Sequence, residues 1–345
     1  MAVAVNVYRG DAVESSHQGH IAVVDVKGRL LYAYGDPYRL TFARSAMKPF
    51  QAIPVVETGT ADRFHFEPAD LSLCCASHSG EERHRSRALS ILNRAGLGEE
   101  TLVCGTHVPR DSDSYKQLIR EGRELTPIYS NCSGKHAGMV ATASHMGEQV
   151  ETYHLLDHPV QQRIMDAVAD MTCYPQENIY TGVDGCGVPV HRIPLANMAW
   201  GYARLASPGC MDNPLRQQAV RRIAEAMVAF PEMVGGNERY CTDLMRAFKG
   251  RIIGKSGAEG VYCIGDRDLG WGIALKIEDG GARAAYAVMS EVLRQLGIGN
   301  GGPLDDLKPY ANPVIRTMRG EMAGRIQAEF VLDKIESTQL SRSTH

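Results

Sequence analysis

The chain has 345 residues, is 44% hydrophobic and 22% charged, and carries a formal net charge of −3. This composition provides ample apolar material for a core and no basic field that would attract nucleic acid. No apolar run approaches the ~18 residues of a membrane span, Met1–Gly10 lacks the regions of a secretory signal, and nine cysteines without regular spacing predict a reducing, cytoplasmic setting with free thiols or a metal site.

In chain order, His20–Val26 and Arg29–Tyr34 flank Lys27-Gly28 and predict a hairpin. A helix is expected from Ser45 to about Thr58, with Gly59 at its C-terminal side. Leu71–Ala76 predicts a short buried strand delivering Ser77-His-Ser-Gly80, and Glu82–Ala95 a charged amphipathic helix ending at Gly96. Ser130–Gly138 is expected as a small polar loop leading into an apolar helix, Met139–Met146. His158–Met171 and Asn213–Phe230 predict further helices, and Thr181–Pro189 is glycine-rich and irregular. Gly260–Ile264 and Gly270–Ile277 flank the turn Gly265–Leu269, and Ala284–Leu296 has the apolar spacing of a helix. The tail Gln339–His345 is polar and expected to be loose. Strands at both ends (about 1–60 and 250–335) around a more helical middle (about 80–250) predict a single α+β catalytic unit over 1–345. Its antiparallel sheet is built from both ends of the chain.

Ser45 and Lys48, in Arg44-Ser-Ala-Met-Lys-Pro-Phe-Gln51, stand at i and i+3, within reach of each other on one helix face. A serine needs this neighbour if a neutral lysine is to take its proton, and S-x-x-K is the spacing of the serine β-lactamase and penicillin-binding group. Pro49 fits a first helical turn, so the helix should begin near Arg44 or Ser45. Free N–H groups there are candidates for stabilising an oxyanion. The plain alternative is a capping serine with a solvated lysine. Gly254-Lys255-Ser-Gly257 has the lysine–hydroxyl–glycine pattern of the third penicillin-binding motif, and Ser77 is the candidate partner of Lys255. Alone, Lys255 also reads as a solvated strand-end lysine and Ser77 as a turn serine. Several lysines in one pocket would lower a pKa toward neutrality and make one a base.

Asn131-Cys-Ser-Gly-Lys-His136 and Asp184-Gly-Cys-Gly187 place Cys132 and Cys186 among polar and small residues. With Lys135, His136 or Asp184 they form a candidate metal site, for which zinc is the natural ion. Spacing alone slightly favours a pair of reactive thiols, because there is no C-x-x-C and the halves lie about 50 residues apart.

Together these segments resemble one family, the asparaginases of the Rhizobium etli type, also called class 3 or asparaginase II-like. The matching pieces are Arg44–Gln51, Ala76-Ser-His-Ser-Gly-Glu81, Asn131-Cys-Ser-Gly-Lys-His-Ala-Gly138, Thr181-Gly-Val-Asp-Gly-Cys-Gly-Val-Pro189 and Gly254-Lys-Ser-Gly-Ala-Glu-Gly260, in that order along nearly the whole chain. The resemblance implies a fold similar to serine β-lactamases and glutaminases, and hydrolysis of L-asparagine to L-aspartate and ammonia. It implies two serine–lysine tandems, falling on Ser45 with Lys48 and on Ser77 with Lys255. It implies zinc beside the substrate, held by Cys132, Lys135 and Cys186, which displaces the plain-thiol reading.

The expected chemistry follows. Ser45 attacks the side-chain amide with Lys48 as base, a β-aspartyl ester forms, and water hydrolyses it. Ser77 and Lys255 hold the nucleophile and relay protons. Asp184 is the candidate for the substrate ammonium, and Arg44 or His136 for its carboxylate. For His136, a packing role or a hydrogen bond behind the zinc ligands is the alternative. Rival readings are a glutaminase, a penicillin-recognising serine amidohydrolase, and a metal-dependent binding protein without turnover. A homodimer is the default assembly.

Overall fold

The computed structural model describes residues 2–340, without the side chains of 337–339. The strands in chain order are β1 (Val3–Arg9), β2 (Ala12–Asp25), β3 (Arg29–Tyr34), β4 (Leu40–Phe42), β5 (Tyr180–Val183), β6 (Pro189–Pro194), β7 (Ile252–Gly257), β8 (Val261–Asp266), β9 (Trp271–Ile277), β10 (Val314–Arg316), β11 (Met322–Ala328) and β12 (Asp333–Gln339). The chain divides into two compact units. One comprises Met1–Ala46, Ile193–Ser207 and Asp243–His345, the other Met47–Arg192 and Pro208–Thr242.

The first unit is built on a nine-stranded sheet in the order β10-β11-β1-β2-β9-β8-β7, with β3 bridging β2 and β12. Its pairings are antiparallel, including β2 with β9 through Ala22 opposite Ala274. The α+β reading with a sheet drawn from both chain ends therefore holds. Ile21-Ala-Val-Val24 is excluded from solvent, and so is all of β8, because helices Leu195–Ala206 and Ala282–Gln295 both pack on this part of the sheet. The close approach of the first helix depends on Gly272, where a Cβ would fall 1.8 Å from the Ala199 carbonyl oxygen. The expected turn at 265–269 is closed by the buried Asp266 carboxylate. It accepts from the N–H groups of Asp268 and Leu269 at 2.9 and 3.2 Å and from Arg251 at 2.7 Å.

The second unit is mainly helical, with the antiparallel hairpin β5–β6 pairing Thr181 with His191. Helix Ser133–Met146 packs against helices Pro68–Cys74 and Glu82–Arg94, and helix Pro214–Ala229 also lies on Pro68–Cys74. Among the described residues no helix is long and apolar enough to cross a membrane.

Several expected elements differ. The continuous helix expected over 45–58 is a 3-10 turn, Arg44–Met47, followed by two short helices, Lys48–Gln51 and Ile53–Glu57. Pro49 and Pro54 each fit a first turn and not an interior. The segment expected as a strand at 71–76 is helix Pro68–Cys74. Pro68 opens it, and Asp70 at its third position accepts the Glu67 N–H at 2.8 Å. That helix is buried on all sides after Pro68, which erases the period that would have distinguished it from a strand. The polar loop expected at 130–138 is helical from Ser133 onward. Helix Leu195–Ala206 was not anticipated; β1 and the strands β10–β12 fall in or next to the two regions expected to form sheet but were not placed individually. The start of the expected loose tail is instead held, with Gln339 closing β12 and the Leu340 N–H donating to Gly28 O at 2.8 Å, while the remainder from Ser341 lies outside the described residues.

Candidate active site

In the helical unit, Lys48 is the first residue of helix Lys48–Gln51, with its side chain 1% exposed. Its Nζ donates to the Ala76 carbonyl, to Ser77 Oγ at 3.1 Å and to Cys132 Sγ at 3.1 Å. These three acceptors come from two loops, and each loop is pinned by backbone hydrogen bonds.

Ser77 follows the end of helix Pro68–Cys74. Its N–H donates to Val234 O at 3.0 Å, the His78 N–H donates to Asn131 O at 3.2 Å, and Ser79 Oγ donates to Gly235 O at 2.8 Å. His78 fixes the arrangement further. The Gly80 N–H donates to His78 Nδ1 at 3.1 Å, so Nε2 carries the proton and donates to Ser133 Oγ at 2.9 Å. Burial first, then the charges of His84 and Lys48, hold the His78 imidazole well below its usual range, and it is neutral.

Cys132 immediately precedes helix Ser133–Met146, and Cys186 lies in the turn between β5 and β6. Lys135, 3% exposed, donates to Cys186 Sγ at 3.1 Å. A hydrogen bond with Cys186 outweighs burial and, with the charges of Lys48 and Lys135, holds the Cys132 thiol well below the ordinary thiol range. The same hydrogen bond, together with burial, pushes Cys186 up. Of the two sulfurs, Cys132 is the one whose charged form the surroundings favour, while its Sγ also lies 3.1 Å from Asn131 Oδ1. Burial opposes the charge on Lys135, but the Cys186 and Cys132 sulfurs and Asp184 raise its pKa on balance.

Two sulfurs and one amine, buried together within one unit, are a soft donor set that suits zinc. Among the described residues no group of three or more His, Cys, Asp or Glu side chains is placed to hold a metal. A site here therefore requires Lys135 as the third donor, with metal binding displacing its proton and those of the thiols.

The remaining sequence candidates divide between the units. Asp184 is half-buried in the β5–β6 turn, its Oδ1 accepting the Gly185 N–H at 2.7 Å, and its charge acts on Lys135. His136 is fully buried in the first turn of its helix, one residue after Lys135. Ser45, Arg44 and Lys255 belong to the sheet-based unit. There Lys255 is buried in β7, opposite Cys263, and its Nζ donates to Ser256 O at 2.7 Å. Gly257 admits the segment leading to Ser45, since a Cβ there would fall 2.7 Å from Ala43 O. Arg44 has φ 49, a left-handed conformation that costs a non-glycine residue energy and is common beside functional groups.

The structure therefore joins Lys48 to Ser77, and both to the thiol–lysine cluster. The sequence reading missed the Lys48–Cys132 contact and the roles of His78, Ser133 and Val234. The position of His78, directly after Ser77, was the one signal in the sequence.

Three solved structures share a weak likeness with the chain. A β-lactamase from Mycobacterium bovis is 17% identical, with a TM-score of 0.43 over 80% of this chain and 94% of that one. A class C β-lactamase from Rhodobacter sphaeroides is 16% identical, with a TM-score of 0.40 over 80% and 94%. A D-alanine carboxypeptidase from Burkholderia cenocepacia is 16% identical, with a TM-score of 0.36 over 79% and 93%. Likeness at this level carries no argument about chemistry. No match was found among curated proteins. The family model described as L-asparaginase II matches residues 5–328, and the chain accordingly belongs to the L-asparaginase II family.

Proposed function

We propose that this family member is a serine-dependent L-asparaginase, hydrolysing L-asparagine to L-aspartate and ammonia. The observation that carries the reading is the buried amine of Lys48, hydrogen-bonded to Ser77 Oγ at 3.1 Å in a chain matched by the family model over residues 5–328. A serine hydroxyl held by a water-excluded lysine is the arrangement a serine nucleophile or its proton relay needs.

In the proposed reaction, Lys48 acts as the neutral amine, having first released one of the three protons it donates in the resting site; Ser45 Oγ then bonds to the side-chain amide carbon and gives its proton to Lys48. The C–N bond breaks, the proton passes to the leaving nitrogen, and ammonia departs. The β-aspartyl ester on Ser45 is then attacked by water, whose proton returns through the same lysine. Ser77 and Lys255 serve as the second tandem. Asp184 would meet the substrate ammonium, and Arg44 or His136 its carboxylate. Cys132, Lys135 and Cys186 would hold zinc, which when bound supplies a fixed positive charge that shapes the substrate pocket.

A second reading, favoured by the Lys48–Ser77 hydrogen bond itself, makes Ser77 the nucleophile and Ser45 the relay. Ammonia release from L-asparagine and, in parallel, L-glutamine by wild type, Ser45→Ala and Ser77→Ala separates these possibilities. The first reading expects turnover to vanish in folded Ser45→Ala. Near-normal kcat in Ser45→Ala, with loss in Ser77→Ala, transfers the nucleophile to Ser77. No release from either amide by the zinc-loaded wild type rejects the asparaginase reading.

A further inference from the structure

Behind the thiol–lysine cluster, His136 and Tyr153 form a fully buried pair. His136 Nδ1 lies 2.6 Å from the Tyr153 hydroxyl oxygen, and the Val103 N–H donates to the same oxygen at 3.2 Å. The two rings meet edge to face, with centroids 5.6 Å apart. His136 Nε2 is shut off from solvent and has no hydrogen-bond partner.

The hydrogens can be counted. The tyrosine oxygen already accepts from Val103, and its single proton needs an acceptor. If Nδ1 is the bare nitrogen, the tyrosine proton goes to it, and one buried group is left unmatched, the Nε2–H donor. If Nδ1 carries the proton, it donates to the tyrosine oxygen. The hydroxyl proton and the bare Nε2 are then both stranded. The first arrangement leaves fewer unmatched groups in a dry site, where each is costly.

We propose that Tyr153 is a positioning residue that fixes His136 as the Nε2–H tautomer, keeping that buried N–H available for the carboxylate of an amino-acid substrate. The identity of the acceptor rests on the function proposed above; the tautomer does not. The unmatched group is a donor, so the missing partner is an acceptor, which the substrate carboxylate supplies in the function proposed above. A fixed N–H donor then orients a carboxylate.

The test uses the full-length protein with ring-15N histidine. Long-range 1H–15N correlations report the tautomer, and comparison with His136→Gln identifies the His136 signals. Wild type should show the pure Nε2–H form, and Tyr153→Phe should shift it toward the other tautomer. In kinetics, Tyr153→Phe should raise KM for L-asparagine about tenfold, the loss expected for a weakened hydrogen bond to a charged group, with kcat changed by less than about twofold. In the His136→Gln background, the amide nitrogen stands near the Nε2 position without depending on a tautomer. There Tyr153→Phe should add less than about twofold.

A wild-type Nδ1–H signal overturns the proposal whether or not Tyr153→Phe folds. So does an unchanged tautomer in Tyr153→Phe, or an equal KM cost in both backgrounds, which would mark a merely structural tyrosine. If the tautomer behaves as expected but wild type does not turn over L-asparagine, the function proposed above fails and the Tyr153 assignment stands.

Discussion

His191 makes the acid stability of the helical unit calculable. It lies in β6, 1% exposed, with no partner for its Nδ1. Burial first, then the charge of Lys135, push its pKa down to about 4. An unfolded histidine titrates near ~6.5. Between those values the unfolded chain binds a proton that the folded chain refuses, so stability falls as pH falls. The loss begins near ~6.5, runs at roughly 1.4 kcal/mol per pH unit and levels off below the folded pKa. From pH 7.5 to 5 it amounts to about 2 kcal/mol for this one side chain. His78 and His136, also held low first by burial, act in the same direction. The assay is urea unfolding of chelator-treated wild type and His191→Gln across this pH range; chelation removes the separate proton linkage of metal release. The wild type should lose stability toward pH 5, and His191→Gln should lose about 2 kcal/mol less over the same interval. Parallel losses in the two proteins would refute the reasoning, since His191 would then be charged when folded or solvated when buried.

Two further outcomes are expected. Asp70 has no exposed side-chain surface and accepts from Arg87 at 2.9 Å and Arg94 at 2.6 Å. Asp70→Asn should cost about 3 kcal/mol, the low end for breaking a buried ion pair, because the two arginines are 29% and 28% exposed and can recover water. A thermal midpoint within a degree of wild type would show that this carboxylate does not hold the helix leading to Ser77. The proposed metal site expects about one zinc per chain by elemental analysis, falling to a trace in Cys132→Ser. Full zinc retention in that variant would remove Cys132 from the ligand set.

Where the sequence reading succeeded, local chemistry and tertiary packing agreed. The 20–34 hairpin and helices Glu82–Arg94, Pro159–Thr172 and Pro214–Ala229 follow their turns and periodicity, and the last two are capped by the side chains of His158 and Asn213. It failed where burial is uniform. Leu71, Leu73 and Cys74 are buried as fully as a central strand would be, yet they form a helix, and the period is invisible in an all-buried segment. Helix Leu195–Ala206, buried along its whole length, was missed for the same reason. In the candidate site the motif residues were legible because serines, cysteines and lysines among glycines are conspicuous. Their partners were not. Lys48 meets Ser77 and Cys132 across 29 and 84 positions of sequence, and no local pattern encodes such pairings. Tyr153 carries no sequence signal at all, since its importance lies in a single hydroxyl placed between Val103 and His136.

The positions of the site residues within their elements explain how the site is held. Lys48 opens a helix, Cys132 immediately precedes one, Cys186 sits in a hairpin turn, and Ser77 follows a helix end. None lies mid-element, where its backbone groups would be committed to a regular ladder. Groups at element ends have spare N–H and C=O positions, and here these are tied to neighbouring loops. Ser77 is tied to Val234, His78 to Asn131, and Ser133 to Ser130. Those ties convert loop residues into fixed ones, which preorganised chemistry demands. They also explain why the buried amine of Lys48 is tolerated. Its cost would be prohibitive without acceptors already in place. The backbones of Ala76, Ser77 and Cys132 are held by bonds to Leu73, Val234 and Ser130 that do not involve Lys48, so the acceptors do not rely on the lysine alone for their positions. A site built this way owes its geometry to the loop anchors, and loosening Val234 or Asn131 should disturb Ser77 as surely as removing Lys48.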